Sequence, residues 1–286
     1  MPSLATRVAA ETLRLLPRKR ISRSLGQLAS RAPGRRVLER AIAAYVDAYD
    51  VDLSDAVVPA DGFRTFDEFF TRALVEGARP LEGDERTLAC PADGRVEDAG
   101  PITPGARFLV KGREYSADEL LAEDASRFTG GRFAIVYLSP RDYHRVHAPA
   151  SGPVHTLRHV GGTLLPVNAF GVASYPNLFA RNERVVAFQR AAAGEVATVL
   201  VGAIGVGRIS VRFEPSVMTN VGRGPTTLRY EASSAPVLAR GDELGTFHLG
   251  STAIVLTAPE LACELRVSAG DRVRVGRALA QVGGAP

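Results

Sequence analysis

The chain has 286 residues, 45% hydrophobic and 23% charged, which is the make-up of one or two globular domains and excludes a disordered or fibrous protein. The apolar run Val196–Gly207 stops at 12 residues and includes three glycines. That is short of the ~20 apolar residues of a spanning helix, so no transmembrane segment is expected. Two cysteines, Cys90 and Cys263, are too few for a disulfide scaffold and sit in no zinc spacing, which fits a reducing compartment.

The net charge of +4 is unevenly spread: residues 1–40 hold ten Lys/Arg against two Glu. A basic arm on a slightly acidic body points to an anionic partner. On a helical wheel Leu4, Val8, Thr12, Leu15 and Leu16 share one side, with Arg7, Arg14 and Arg18 on the other. Pro17 interrupts this helix. A second stretch gathers Ile21, Leu25 and Leu28 opposite Arg23, Gln27 and Arg31. Short Arg-rich amphipathic helices fit a membrane surface, and they also fit helices packed on their own domain. No aromatic residue precedes Tyr45, so the arm lacks the stacking platform of a nucleic-acid binder, and no nucleic-acid partner is expected. No compact apolar region with a small-residue cleavage site follows the basic residues, so no secretory signal is expected.

Residues 37–50 continue helical. Thr65 reads as the cap of a short helix, with Glu68 three positions on and Phe66, Phe69 and Phe70 toward a core. From residue 88 the pattern changes to short apolar runs broken by Gly and Pro: Phe133–Leu138, Val196–Val201, Ile209–Phe213, Thr252–Thr257 and Arg272–Val275. These are strands of a mainly antiparallel β body, with one helix inside it over 116–128. The expected fold is α+β: N-terminal amphipathic helices over residues 1–50, then a β-rich catalytic domain over 51–286.

Three segments carry residues capable of chemistry. Tyr137 through Pro149 follows a strong strand and contains His144 and His147; loops on a rigid scaffold are favoured places for function. Asp142, His144 and His147 could ligate a metal, but no further ligand stands at zinc spacing and H-E-x-x-H is absent. His155 and His159 read as ordinary strand or surface residues. Phe247-His248-Leu249-Gly250-Ser251-Thr252 offers a serine entering an apolar run. A nucleophile elbow requires glycine two residues either side of that serine, where Leu249 and Ala253 stand. A plain Gly-Ser turn is the simpler reading. Cys90-Pro91-Ala92-Asp93-Gly94 reads by itself as an Asp-Gly turn. Together the segments supply an acid, a histidine and a serine, a set that deprotonates serine in any chain order.

At this point the chain resembles the phosphatidylserine decarboxylases of the bacterial membrane-associated type. The matching segments are Phe66 through Arg72, Pro91 through Gly94, Tyr137 through His147, Val167-Asn168, Pro176 through Arg184, and Leu249 through Thr252. They stand in the family's order and cover nearly the whole chain; the arm and the last residues match in character only. The resemblance implies a proenzyme that cuts itself between Gly250 and Ser251. Asp93 would orient His147, and His147 would take the proton of Ser251. The hydroxyl would attack the Gly250 carbonyl, and β-elimination of the resulting ester would release residues 1–250. Loss of ammonia from the dehydroalanine left at position 251 would give a pyruvoyl group, the only cofactor implied, with no metal. That ketone would form a Schiff base with phosphatidylserine and act as electron sink for loss of carbon dioxide. His144 is the candidate acid for the protonation that follows. The resemblance also implies a homodimer of processed pairs of large and small chains, held peripherally on an anionic membrane surface at the cytoplasmic side.

Three rivals remain open on the residues alone: a serine hydrolase, a lipid-binding module with a structural Gly-Ser turn, and a pyruvoyl decarboxylase for another headgroup or a free amino acid. An exchange of roles between His144 and His147 also stays open, because spacing does not separate them.

Overall fold

The computed structural model describes residues 17–205, 208–221, 224–248 and 250–283. The first amphipathic stretch, residues 4–16, lies outside them. Its expected end at Pro17 coincides with the start of helix α1 (Arg18–Ala29), which Pro17 precedes as N-cap. Helix α2 (Arg35–Tyr49) ends on Asp50 in the left-handed conformation.

Helix α3 (Phe66–Phe70) forms as its cap predicts. The Glu68 N–H donates to Thr65 Oγ1 at 3.0 Å, and the Glu68 carboxylate reaches back to the N–H of Arg64 at 2.5 Å. Phe69 and Phe70 are buried, and Tyr45 of α2 meets the rings of Phe66, Phe69 and Phe70 at centroid distances of 5.1, 5.9 and 6.2 Å. Edge-on aromatic contacts of this kind add about 0.5–1.5 kcal/mol each beyond burial. They join the helical region to the β body, and the Tyr45 hydroxyl adds a bond to the carbonyl of Pro140 at 3.1 Å.

The body follows in the order β1 (Thr87–Ala89), β2 (Gly94–Pro101), β3 (Arg107–Val110), β4 (Arg113–Ser116), α4 (Ala117–Leu121), β5 (Arg132–Leu138), β6 (Arg145–His147), β7 (Gly152–Val160), α5 (Ala169–Ser174), α6 (Leu178–Arg181), β8 (Arg184–Ala191) and β9 (Gly194–Gly202). Then come β10 (Arg208–Val211), β11 (Thr226–Arg229), β12 (Val237–Leu238), β13 (Glu243–His248), β14 (Ser251–Thr257), β15 (Glu264–Leu265), β16 (Arg272–Val273) and β17 (Ala278–Gln281). The one helix expected over 116–128 is two pieces. Helix α4 stops where Ala122 turns left-handed at φ +55°, and a single 3-10 turn follows over Ser126–Phe128. Asp118 causes the break, because its carboxylate takes the N–H of Ala125 at 2.7 Å and folds the chain back on α4.

The strands pair antiparallel throughout. A nine-stranded sheet runs β11-β7-β8-β9-β14-β5-β2-β16, with β12 also on β7; smaller sheets are β10-β13-β6, β1-β17-β15 and β3-β4. Strand β14 lies inside the large sheet with all seven residues buried, as the continuous apolar run Ala253–Leu256 requires of a strand covered on both faces. It pairs along its whole length with β5 on one side and β9 on the other. The chain after residue 250 therefore supplies a central strand, and also β16 against β2 and β17 against β1. A backbone cut before Ser251 leaves all of these pairings intact.

Helix α1 packs on the body through its small residues. Ser22 and Ala29 are buried, while Leu25 and Leu28 are 42% and 62% exposed. The Ser22 hydroxyl accepts the N–H of Gly205 at 3.1 Å, and Arg23 donates to the carbonyl of Asn220 at 3.2 Å. Two residues of the wheel's apolar stripe, Leu25 and Leu28, thus face solvent, while Ile21 is half-buried.

Candidate active site

Ser251 is the first residue of β14, directly across from Leu138 of β5 and Gly202 of β9. Gly250 before it has φ +67°, a left-handed conformation that costs other L-residues roughly 1–2 kcal/mol. The apolar run predicted a strand from Thr252; the ladder extends one residue further and fixes the serine backbone as well. The Ser251 side chain is 1% exposed, and its hydroxyl has no hydrogen-bond partner among the described residues. A buried, unpaired hydroxyl costs about 1–3 kcal/mol; the Thr198 and Thr252 hydroxyls share that condition, and what sets Ser251 apart is its place on a cavity beside the left-handed Gly250.

Ser251 and Gly250 line a cavity of about 210 Å³ whose other walls include Tyr45, Phe70, Pro166 and Ile204. The volume suits a polar headgroup and is smaller than an ordinary drug-sized pocket of about 300–1,000 Å³. Asn182 braces this wall. It is fully buried, and its carboxamide joins the N–H of Leu165 at 2.9 Å to the carbonyls of Leu165 at 2.9 Å and Gly202 at 2.8 Å. Asn182→Ala strands three buried backbone partners. It should lower unfolding stability by about 2–4 kcal/mol, read as a fall in urea midpoint at unchanged slope.

His144 is fully buried, its ring 4.1 Å from that of Phe70 between centroids. Its Nδ1–H donates to the carbonyl of Asp142 at 2.7 Å, so Nε2 carries the lone pair, and Nε2 is buried without a partner. Burial pushes the imidazole down to about 3, so it is neutral near pH 7. Phe70 both lines the serine cavity and packs on this ring.

His147 lies on β6. Its Nδ1–H donates to the carbonyl of Gly241 at 2.7 Å, and its Nε2 accepts the Tyr143 hydroxyl at 3.1 Å. Burial lowers its pKa, partly offset by the Gly241 carbonyl and the charges of Glu243 and Asp93. Asp93 is buried under Arg79: the guanidinium holds both carboxylate oxygens at 2.7–3.1 Å, and the N–H of Val275 adds a bond at 2.8 Å. Asp93 faces a second, charged cavity of about 990 Å³ shared with Tyr143, Arg72 and Arg79.

The structure thus brings His144, Phe70 and Ser251 to one region, with Asp93 and Tyr143 at another. Among the described residues no hydrogen bond joins Asp93 to His147, or either residue to Ser251. A guanidinium outbids an imidazole N–H for a carboxylate because the bond is charge-assisted and bidentate. The Asp142, His144 and His147 side chains have separate partners, and among the described residues no group of three candidate ligands converges on a metal position. Both cysteines are buried and free. His159 is a buried strand residue paired with Glu183 at 3.1 Å.

Sequence reasoning missed Arg79 and Tyr143 as partners of the expected acid and base. Arg79 sits outside every motif. Tyr143 stands four residues before His147, and neither a loop nor a three-residue strand makes that spacing a contact in advance.

Comparison with known proteins gives a concordant answer. The family model described as phosphatidylserine decarboxylase matches residues 66–281. A phosphatidylserine decarboxylase proenzyme of Pseudomonas aeruginosa is 45% identical over 273 residues, which are 93% of this chain and 94% of the relative. The proenzymes of the same name from Anaeromyxobacter sp. (strain K) and Bordetella pertussis are 40% and 42% identical. Those alignments cover 96% and 93% of this chain, and 98% and 91% of the relatives.

Proposed function

Because this chain belongs to the phosphatidylserine decarboxylase family and is a carboxy-lyase, we propose that it activates itself by cutting the Gly250–Ser251 bond and decarboxylates phosphatidylserine through the pyruvoyl group so formed. The observation that carries this reading is Ser251 itself: a buried hydroxyl with no partner, beside a left-handed glycine, opening into a small cavity. Glycine at 250 leaves the attacked carbonyl without a neighbouring side chain and tolerates the φ that the link adopts.

The serine oxygen serves as both nucleophile and leaving group. A neutral histidine removes its proton, and attack on the Gly250 carbonyl transfers the acyl group from nitrogen to oxygen. β-Elimination then ends the large chain in the Gly250 carboxylate and leaves dehydroalanine at 251. Its imine tautomer takes up water and loses ammonia, which gives the pyruvoyl ketone. The residues assigned to the relay are Asp93, His147 and Ser251. For His147 to act, its Nε2 must exchange the Tyr143 hydroxyl for that of Ser251, and Asp93 must act through its charge while Arg79 holds it. When formed, the pyruvoyl group supplies a carbonyl that condenses with the substrate amine and an electron sink for the departing carbon dioxide. His144 is assigned the proton that completes phosphatidylethanolamine. The strand pairings of β14, β16 and β17 would keep the large and small chains together after the cut, and the active unit is a homodimer of such pairs.

The substrate places the enzyme at a lipid surface, because a diacyl lipid loses about 0.8 kcal/mol for each CH₂ drawn into water. Among the described residues no helix is long and apolar enough to cross a membrane. Helix α1 turns Leu25 and Leu28 outward, beside the exposed Arg20 and Arg31, so a peripheral seat on the anionic cytoplasmic leaflet suits it. A Leu25→Glu/Leu28→Glu chain should lose at least about tenfold in partition to phosphatidylserine vesicles, since each leucine contributes roughly 1.5–3 kcal/mol when buried. Unchanged co-sedimentation would remove α1 from the docking surface.

The first test is intact mass under denaturing conditions. Two chains parted after Gly250, the small one lighter by one ammonia than a serine-started peptide, would carry the proposal through to the substrate assay. A single chain that stays uncut at neutral pH would end it.

A further inference from the structure

Strand β13 ends at His248 and β14 begins at Ser251, so only two residues link the three-stranded sheet to the nine-stranded one. The proposed scissile bond lies at the end of that link. The two ends are held unequally. Ser251 is paired on both sides. At His248 the ladder to β6 has already ended with Thr246 opposite Arg145, and β10 begins only at Arg208, directly opposite His248.

Beyond the ladder the Phe247 N–H still reaches the carbonyl of His144 at 2.9 Å, and a side-chain cluster adds a further hold. His248 Nδ1–H donates to both oxygens of Asp67, at 2.8 and 3.0 Å. Arg208 pairs with the same carboxylate at 2.5 Å, and its Nη2 also lies 2.6 Å from His248 Nδ1. Ser210 meets the other imidazole nitrogen of His248 at 3.0 Å. Burial acts to raise the Asp67 carboxyl, but His248 and Arg208 outweigh it and the carboxylate is favoured. Asp67 is the second residue of α3, the helix whose Phe70 lines the serine cavity and packs on His144. One short helix therefore grips the amino side of the scissile link with Asp67 and builds the cavity wall with Phe70.

We propose that Asp67, acting through His248, is a positioning residue for self-cleavage: the pair fixes the amino side of the link so that the Gly250 carbonyl stands in reach of the Ser251 hydroxyl. This rests on the self-cleavage reading. Neither side chain takes part in proton transfer. Their effect is on geometry, where an error of about 1 Å costs as much as a hundredfold in rate.

The test follows cleavage of freshly translated full-length chain during a chase at neutral pH, with trypsin resistance as the check on folding. Asp67→Asn and His248→Gln should each lengthen the half-time at least about tenfold. The double variant should be no slower than the slower single one, since both remove the same contact. His248→Lys, which keeps a hydrogen-bond donor facing Asp67, should return to within about threefold of the parent. If Asp67→Asn loses trypsin resistance, the two His248 variants decide alone, because that side chain is partly exposed and its loss leaves α3 capped. Parental half-times in His248→Gln, or a folded His248→Lys chain as slow as His248→Gln, would overturn the proposal while the parent's own cleavage kept the self-processing reading intact. A parent that never cleaves would overturn both.

Discussion

Ser251→Ala should remain one uncut polypeptide of 286 residues and release no carbon dioxide from phosphatidylserine. Alanine has no oxygen to attack the Gly250 carbonyl and none to leave in the elimination, so both halves of the processing route are lost together. The variant should fold as well as the parent or better. The Ser251 hydroxyl is buried without a partner among the described residues, and removing an unpaired buried hydroxyl relieves a penalty of about 1–3 kcal/mol. An equal or higher thermal midpoint alongside complete loss of cleavage would locate the defect in chemistry. A midpoint several degrees lower would mean that the hydroxyl has a structural partner in the folded chain. Ser251→Cys separates the steps further, since sulfur both attacks and leaves. It should cut at the same bond, with the large chain ending in a Gly250 thiocarboxylate and the small one of 36 residues, those beyond residue 250. A serine hydrolase built on the same residue predicts an uncut parent.

Local periodicity carried much of this fold because its strands are buried on both faces or cleanly alternating. The runs 133–138, 196–201 and 252–257 all lie within β5, β9 and β14, and the capped start at Thr65 formed as the side-chain chemistry requires. One reading failed for a local reason. The 116–128 helix breaks because Asp118 bonds ahead to Ala125, and wheel patterning does not register a side chain competing for backbone. In α1 the wheel left membrane contact and packing on the domain both open; the structure buries Ser22 and Ala29 and leaves Leu25 and Leu28 exposed, a division set by the docking of the helix that the wheel alone does not contain. The site was legible as a set of residue types and illegible as a network. Asp93 is claimed by Arg79 across 14 positions and His248 by Asp67 across 181. Contacts at such separations follow from which strands pair and where helices dock, and no short pattern encodes them.

The two histidines should divide the work, and a pair of substitutions reads the division. His147→Ala should leave the chain uncut, slowing cleavage by about 10²–10⁴-fold, the usual contribution of a general base. His144→Ala should still cleave but lose a similar factor, about 10²–10⁴, in carbon dioxide release per pyruvoyl group. The structure gives the reverse assignment a definite form: His144 already offers a neutral ring with an unpartnered Nε2, whereas His147 must first give up the Tyr143 hydroxyl. The pH dependence of cleavage separates the two independently. A base works only when unprotonated, so the rate falls as pH drops through its pKa in the folded chain. Burial lowers His147 below 6.5 but takes His144 down to about 3. With His147 as base, cleavage should fall on an acid limb below the ordinary imidazole range, whereas with His144 as base that limb should lie near pH 3. Cleavage that persists undiminished to pH 4 in a chain that is still folded, together with loss of processing in His144→Ala, would move the base to His144. His147 would then be left holding the turn at Gly241 through its Nδ1–H.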